Sequence, residues 1–225
     1  MDKTIDLRVY ALVHRAMRQD SQRLVDFVSG TPRDDQSLAT VARWYDGYLA
    51  VIHHHHTGED EGVFPDLARR SAKLEDGLGQ LEDQHVVLDA LLTAMKAGLA
   101  DLRQTGAERT KSDITHVAKQ LRHHLGEHLD AEEALIFPEI SRLYSPAEWQ
   151  AIDEEYFKKG VSFRFMSFIA PWVMAAADES HRTELLAEGG PILRTLYRLS
   201  WRGRYAKLAA PLYAAEAAPM PVPVG

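Results

Sequence analysis

The chain has 225 residues, 45% of them hydrophobic and 26% charged, which allows one domain of ordinary size with a buried core and is not the composition of a disordered chain. It contains no cysteine, which excludes disulfides, thiolate zinc sites, cysteine-ligated iron–sulfur clusters and a cysteine nucleophile. The net charge of −7 argues against wholesale nucleic-acid binding.

Charges run through the first twenty residues, which reads against a signal peptide. The most apolar window, Phe165 to Ala177, is 13 residues long and contains Pro171, whereas a membrane span needs about 20 residues. A soluble, cytoplasmic protein is expected.

Ile5, Val9, Leu12, Val13, Ala16, Leu24, Phe27 and Val28 recur at three- and four-residue spacings and predict a first helix over about residues 4–29, ended by Gly30-Thr31-Pro32. A second helix is expected from about Asp35 to the region of Pro65. A third follows over about residues 74–102, closed by Thr105-Gly106, and a fourth over about 113–143. Four long segments with short joints predict an all-α, up-down four-helix bundle spanning residues 1–144.

Residues 145–210 read as a helical extension. Ser145-Pro146-Ala147-Glu148 is a capping box with proline at the first helical position. Pro191 opens a helix bearing Arg194, Arg198, Arg202, Arg204 and Lys207. With Glu216 as its one acid, the stretch 191–225 carries +4, which leaves −11 on residues 1–190. That helix is expected to pack on the acidic bundle, and it also suits an acidic protein partner or an anionic surface. Residues 211–225, which include Pro219, Pro221 and Pro223, are expected to form a loose tail.

An internal repeat carries the chemistry. At a constant offset of 73 residues, His55 superposes on His128, Glu59 on Glu132, Asp60 on Glu133, Phe64 on Phe137 and Pro65 on Pro138. His14 and His85 lie 71 residues apart, each inside the helix that precedes one copy. Residues i and i+4 share a helix face, so His55 projects with Glu59 and His128 with Glu132. In a bundle, these pairs and the two further histidines converge on one interior spot. Two buried carboxylates are costly without cations. A pair of divalent or trivalent ions offsets that cost, and nitrogen and oxygen donors without thiolate suit iron or manganese, and less selectively zinc.

With these motifs the chain resembles the hemerythrin-like (HHE cation-binding) domains. Their pattern is a histidine in the first helix, His-xxx-Glu in the second, a histidine in the third, and His-xxx-Glu or His-xxxx-Asp in the fourth. The matching residues are His14, His55, Glu59, His85, His128 and Glu132. The resemblance covers about residues 4–143. It implies a non-heme di-iron site, oxo- or hydroxo-bridged, that binds or reduces dioxygen, hydrogen peroxide or nitric oxide. Helix pairing then suggests His14 and His55 on one iron, His85 and His128 on the other, and Glu59 and Glu132 as bridges. An iron or gas sensor without turnover, and an oxidase or oxygenase of an organic substrate, stand as alternatives.

Oxygen-carrying hemerythrins have two histidines four apart on the third helix, whereas His85 is flanked at that spacing by Leu81 and Asp89. Four histidines, two bridging carboxylates and one bridging oxygen fill ten of twelve octahedral positions. A fifth histidine would leave one vacancy, and Asp89 is a candidate to enter the shell. His124, one turn before His128, is expected as an outer group. Asp60 and Glu133 are expected either to orient imidazoles or to be surface acids, and Tyr48 is expected on the inward face, as core packing ahead of an outer-shell, gating or radical role. His53, His54 and His56 are expected on a solvated helix face.

Overall fold

The computed structural model describes residues 5–31 and 33–216. Helix α1 spans Arg8–Ser29, and α2 spans Asp35–Gly58 and is capped by Asp34 through the Ser37 N–H at 2.7 Å. A π-helical turn, Glu59–Val63, carries α2 into α3, Phe64–Arg70. A single turn at Ala72–Leu74 leads to α4, Glu75–Thr105, and α5 spans Glu108–Leu143.

Two boundaries differ from expectation for local reasons. The second helix does not stop at Pro65. The wide π turn ahead of it gives the ring room, and a proline in the first turn of α3 has no N–H to leave unpaired. The fourth long helix starts earlier than residue 113, because Gly106 takes a left-handed φ of 59° and turns the chain within two residues.

The extension contains α6, Pro146–Ile152, with both hydrogen bonds of the expected capping box, and a π turn at Asp153–Lys158. Helices α7, Phe163–Ala176, and α8, Glu179–Glu188, follow. Then α9, Gly190–Leu196, passes through a π turn at Tyr197–Trp201 into α10, Arg202–Glu216. Residues 211–216 therefore continue a helix rather than a loose tail, and the expected tail beyond them lies outside the described residues.

Helices α7 and α10 both touch α1 and α2. Trp172, Val173, Tyr205, Ala209, Leu212 and Ala215 share one apolar core with the four long helices. The Trp172 indole N–H donates to Asp20 Oδ2 at 2.6 Å, which satisfies two buried polar groups at once. The basic helix packs through its apolar side, while Arg194, Arg198, Arg202, Arg204 and Lys207 stay exposed. Packing on the bundle thus occurs, but it buries alanine, leucine and tyrosine rather than the cations.

Among the described residues, the interior holds two apolar clusters. The larger includes Met17, Ile52, Leu88, Leu125 and Leu129, and the smaller includes Tyr10, Val63, Leu81 and Ile136. His14, His55, His85 and His128 each fall, on their own helix, between a member of one cluster and a member of the other. A polar layer therefore crosses the bundle, enclosed by hydrocarbon on both sides.

Candidate metal centre

His14, His55, Glu59, His85, His128 and Glu132 are all buried, at 5% exposure or less. Helix periodicity sets the two i, i+4 pairs, and the π turn that begins at Glu59 widens the backbone there, a feature recurrent at functional positions. His14 Nε2 and His55 Nε2 lie 2.9 Å apart, and His85 Nε2 and His128 Nε2 lie 3.2 Å apart. Two nitrogens at right angles on a common ion, each about 2.1 Å from it, would be about 3 Å apart.

The carboxylates straddle these pairs. Glu59 Oε1 is 2.9 Å from His55 Nε2, and its Oε2 is 3.5 Å from His85 Nε2. Glu132 Oε1 is 3.5 Å from His14 Nε2, and its Oε2 is 3.5 Å from His128 Nε2. Each carboxylate thus has one oxygen toward each imidazole pair. Glu59 Oε2 and Glu132 Oε2 are buried without a hydrogen-bond partner among the described residues.

The outer ring nitrogens set the tautomers. His14 Nδ1 lies 2.9 Å from Glu133, His85 Nδ1 2.8 Å from Asp60, and His128 Nδ1 3.0 Å from Gln84 Oε1. Each of these oxygens accepts, so each Nδ1 donates and each Nε2 turns a lone pair inward. In the His85–His128 pair, two lone pairs then face each other across 3.2 Å, an arrangement that a cation between them would stabilise. The His14 hydrogen bond, with Arg18 beside it, holds Glu133 down to about 2. Burial, with the nearby charges of Asp89 and Glu61, raises Asp60 to about 6.

Burial also raises both glutamates and lowers the imidazoles, so the metal-free cluster resists charging in either direction. Donor set, tautomers and orphaned oxygens all fit a pair of cations.

Asp60 and Glu133 are thus each within hydrogen-bond distance of an imidazole of the cluster. His124 is not near the cluster: it is exposed, with Glu127 3.9 Å away. Asp89 is also outside it, exposed and 3.3 Å from His53. Tyr48 packs in the core, as expected, and its hydroxyl donates to the Met17 carbonyl at 3.0 Å. Tyr48→Phe should cost about 1 kcal/mol for one lost buried hydrogen bond and leave metal content unchanged, as checked by urea unfolding with metal analysis.

Two neighbours were not anticipated. The Tyr10 hydroxyl donates to Glu59 and lies 2.8 Å from Glu132 Oε1. Burial and those two carboxylates raise the phenol well above 10 and keep it protonated. Its sequence signal was its place one turn before His14. His56 is buried rather than solvated, with its ring stacked on His85 at 3.9 Å. Its repeat counterpart, Leu129, is a core residue, which marks position 56 as inward.

The extension closes this end of the bundle. Trp149 and Phe157 lie 6.1 and 5.9 Å from the Tyr10 ring, and Phe157 is 6.0 Å from His55. They reach the site because α2 and its π turn present glycines there. A Cβ on Gly58 would stand 2.5 Å from the Phe157 ring, and one on Gly62 would stand 2.4 Å from Tyr156. Gly58→Ala should therefore displace Phe157, destabilise by about 1–3 kcal/mol through overpacking, and speed removal of bound metal by a chelator. Gly79→Ala, where a Cβ meets nothing within 4 Å, is the control that should leave removal unchanged.

A family model described as the hemerythrin HHE cation binding domain matches residues 7–140. No curated protein and no solved structure matches the chain.

Proposed function

The chain belongs to the hemerythrin HHE cation-binding family, and from that premise we propose that its buried cluster holds two iron ions and binds or reduces a small oxidant in the cytoplasm. His14 and His55 would hold one ion, His85 and His128 the other, and Glu59 and Glu132 would bridge them. The observation that carries this reading is the division of each carboxylate's two oxygens between the two imidazole pairs. Manganese would suit the same donors, and zinc less selectively.

When bound, two irons supply single-electron changes and open positions for dioxygen, hydrogen peroxide or nitric oxide. The chain's own residues do the rest. Asp60, Gln84 and Glu133 fix the imidazole tautomers. The Tyr10 O–H keeps a proton at Glu59 and Glu132, the carboxylates that would bridge the ions. Phe137, Trp149 and Phe157 surround that phenol and exclude bulk water.

A turnover assay tests the reading. Steady consumption of peroxide, or of dioxygen or nitric oxide with a reductant, by iron-loaded protein is the expected result. One observation favours a sensor instead: the extension rests on Gly58 and Gly62, either side of Glu59, where a change at the metals would be felt. A stoichiometric spectral change without turnover would select that second reading.

A further inference from the structure

We propose that the basic ridge formed by α9, the Tyr197–Trp201 turn and α10 is a docking surface for an anionic lipid bilayer, which seats the chain on the membrane surface with its bundle turned to the solvent. The inference is independent of the metal-centre reading.

Packing against the bundle accounts for one side of this segment only. Tyr197, Trp201, Tyr205, Ala209 and Leu212 are buried at three- and four-residue spacings, as one face of a helix must be. The remaining surface carries Arg194, Arg198, Arg202, Arg204 and Lys207, all exposed and none in an ion pair among the described residues. Helix α8 packs on α9, but its Glu184 and Glu188 are both taken by Arg8.

Unlike an ordinary solvated charged face, this ridge also exposes bulky apolar side chains. Leu199 is 83% exposed and Ile192 76%, the two highest values among the large hydrophobic residues described. They lie two turns apart, and Arg202 stands one turn beyond Leu199 on the same face. Phe163, at the start of α7, is 64% exposed, and its ring is 5.3 Å from that of Trp201, which sets it beside the ridge.

Three exposed apolar groups among five unpaired cations call for a partner that offers hydrocarbon and anions together. The headgroup and acyl boundary of an anionic bilayer offers both: apolar side chains enter it, and guanidinium groups take phosphate oxygens in pairs. The Debye length in physiological salt is about 8 Å, so lipids that meet the ridge sense its cations more than the net −7 of the whole chain. No helix among the described residues is long and apolar enough to cross a membrane, which makes the contact a peripheral one.

Co-sedimentation of the full chain with lipid vesicles tests this. Binding is expected to phosphatidylcholine mixed in equal parts with phosphatidylglycerol, should weaken with added salt, and should be absent with phosphatidylcholine alone. Arg194→Gln/Arg198→Gln/Arg202→Gln should weaken binding about a hundredfold, at about fivefold per cation. Leu199→Ser should weaken it about tenfold and leave its salt dependence unchanged. All four positions are exposed, so both variants should melt with the wild type. Arg109→Gln/Lys111→Gln/Lys119→Gln makes the same change in net charge on α5, which packs on α1 and α4, and should bind as wild type. No binding to the mixed vesicles at low salt, equal binding to both compositions, or an equal loss in the α5 variant would overturn the proposal. Self-association that the ridge variant abolishes, without vesicle binding, would overturn it in favour of a second copy of the chain.

Discussion

Metal-loaded protein is expected to melt roughly 15–30 °C above metal-free protein. Each ion present at about a thousand times its dissociation constant stabilises the fold by about 4 kcal/mol, so two contribute about 8 kcal/mol. A chain of this size gains about 2–4 °C per kcal/mol. The effect is large because the metal-free fold buries Glu59 and Glu132 completely, with one oxygen of each unpartnered. The same logic gives Glu59→Gln opposite signs in the two states. Metal-free, it should stabilise, because a buried carboxylate is gone; with metal present, it should abolish most of the gain. Differential scanning calorimetry of both proteins, with chelator and with metal, reads all four values. Coincident melts with and without metal would contradict the account.

The second large effect is the pH dependence of metal-free stability. Burial raises Glu59 and Glu132 to about 8, and for Glu132 the charge of Glu59 adds to it. A carboxyl raised in the folded state holds its proton after the unfolded chain has lost it. Stability therefore falls as pH rises from the ordinary carboxylate range to about 8. Burial lowers His14, His55, His56, His85 and His128, with His55 at about 4, His85 at about 3 and His128 at about 2. Acid protonates these histidines in the unfolded chain first, so stability rises with pH up to about 6.5. Five histidines outweigh two glutamates below that point, and only the glutamates act above it. Metal-free stability should peak near pH 6.5 and then fall by up to about 2.7 kcal/mol per pH unit, or about 4 kcal/mol by pH 8. Metal binding, which needs both carboxylates ionised, should strengthen over the same interval. Urea unfolding with chelator at pH 5, 6.5 and 8 measures the profile, and a level or rising line from 6.5 to 8 would count against it.

The bundle was legible because its periodic apolar spacing and its punctuation by Gly30, Gly106 and Ser145 are local signals. The convergence of His55, Glu59, His128 and Glu132 was legible because duplication marks the same spacing twice, and His14 and His85 because each sits inside the helix that precedes one copy. Tyr10 escaped because it has no counterpart in the motif, although it sits one turn from His14 on the same face. His56 escaped because a run of four histidines reads as polar, and only its alignment with buried Leu129 shows which way it turns. The covering of the site by the extension depends on contacts between distant segments. Its trace is the pair Gly58 and Gly62, one turn apart, where the duplicate has Ala131 and Leu135. Those glycines open the groove into which Tyr156 and Phe157 settle. Asp89 and His124 looked eligible because each lies on a helix that carries a histidine of the cluster, but each is exposed on the solvent side of that helix.

In the proposed centre, one buried layer grips two ions through carboxylates shared between two imidazole pairs. Counting iron per chain after anaerobic reconstitution and desalting tests it most directly, on wild type and on the Glu59→Ala/Glu132→Ala double variant. Two irons in the wild type and at most a trace in the variant are predicted. An iron-free wild type, or a variant that retains both ions, would contradict the account.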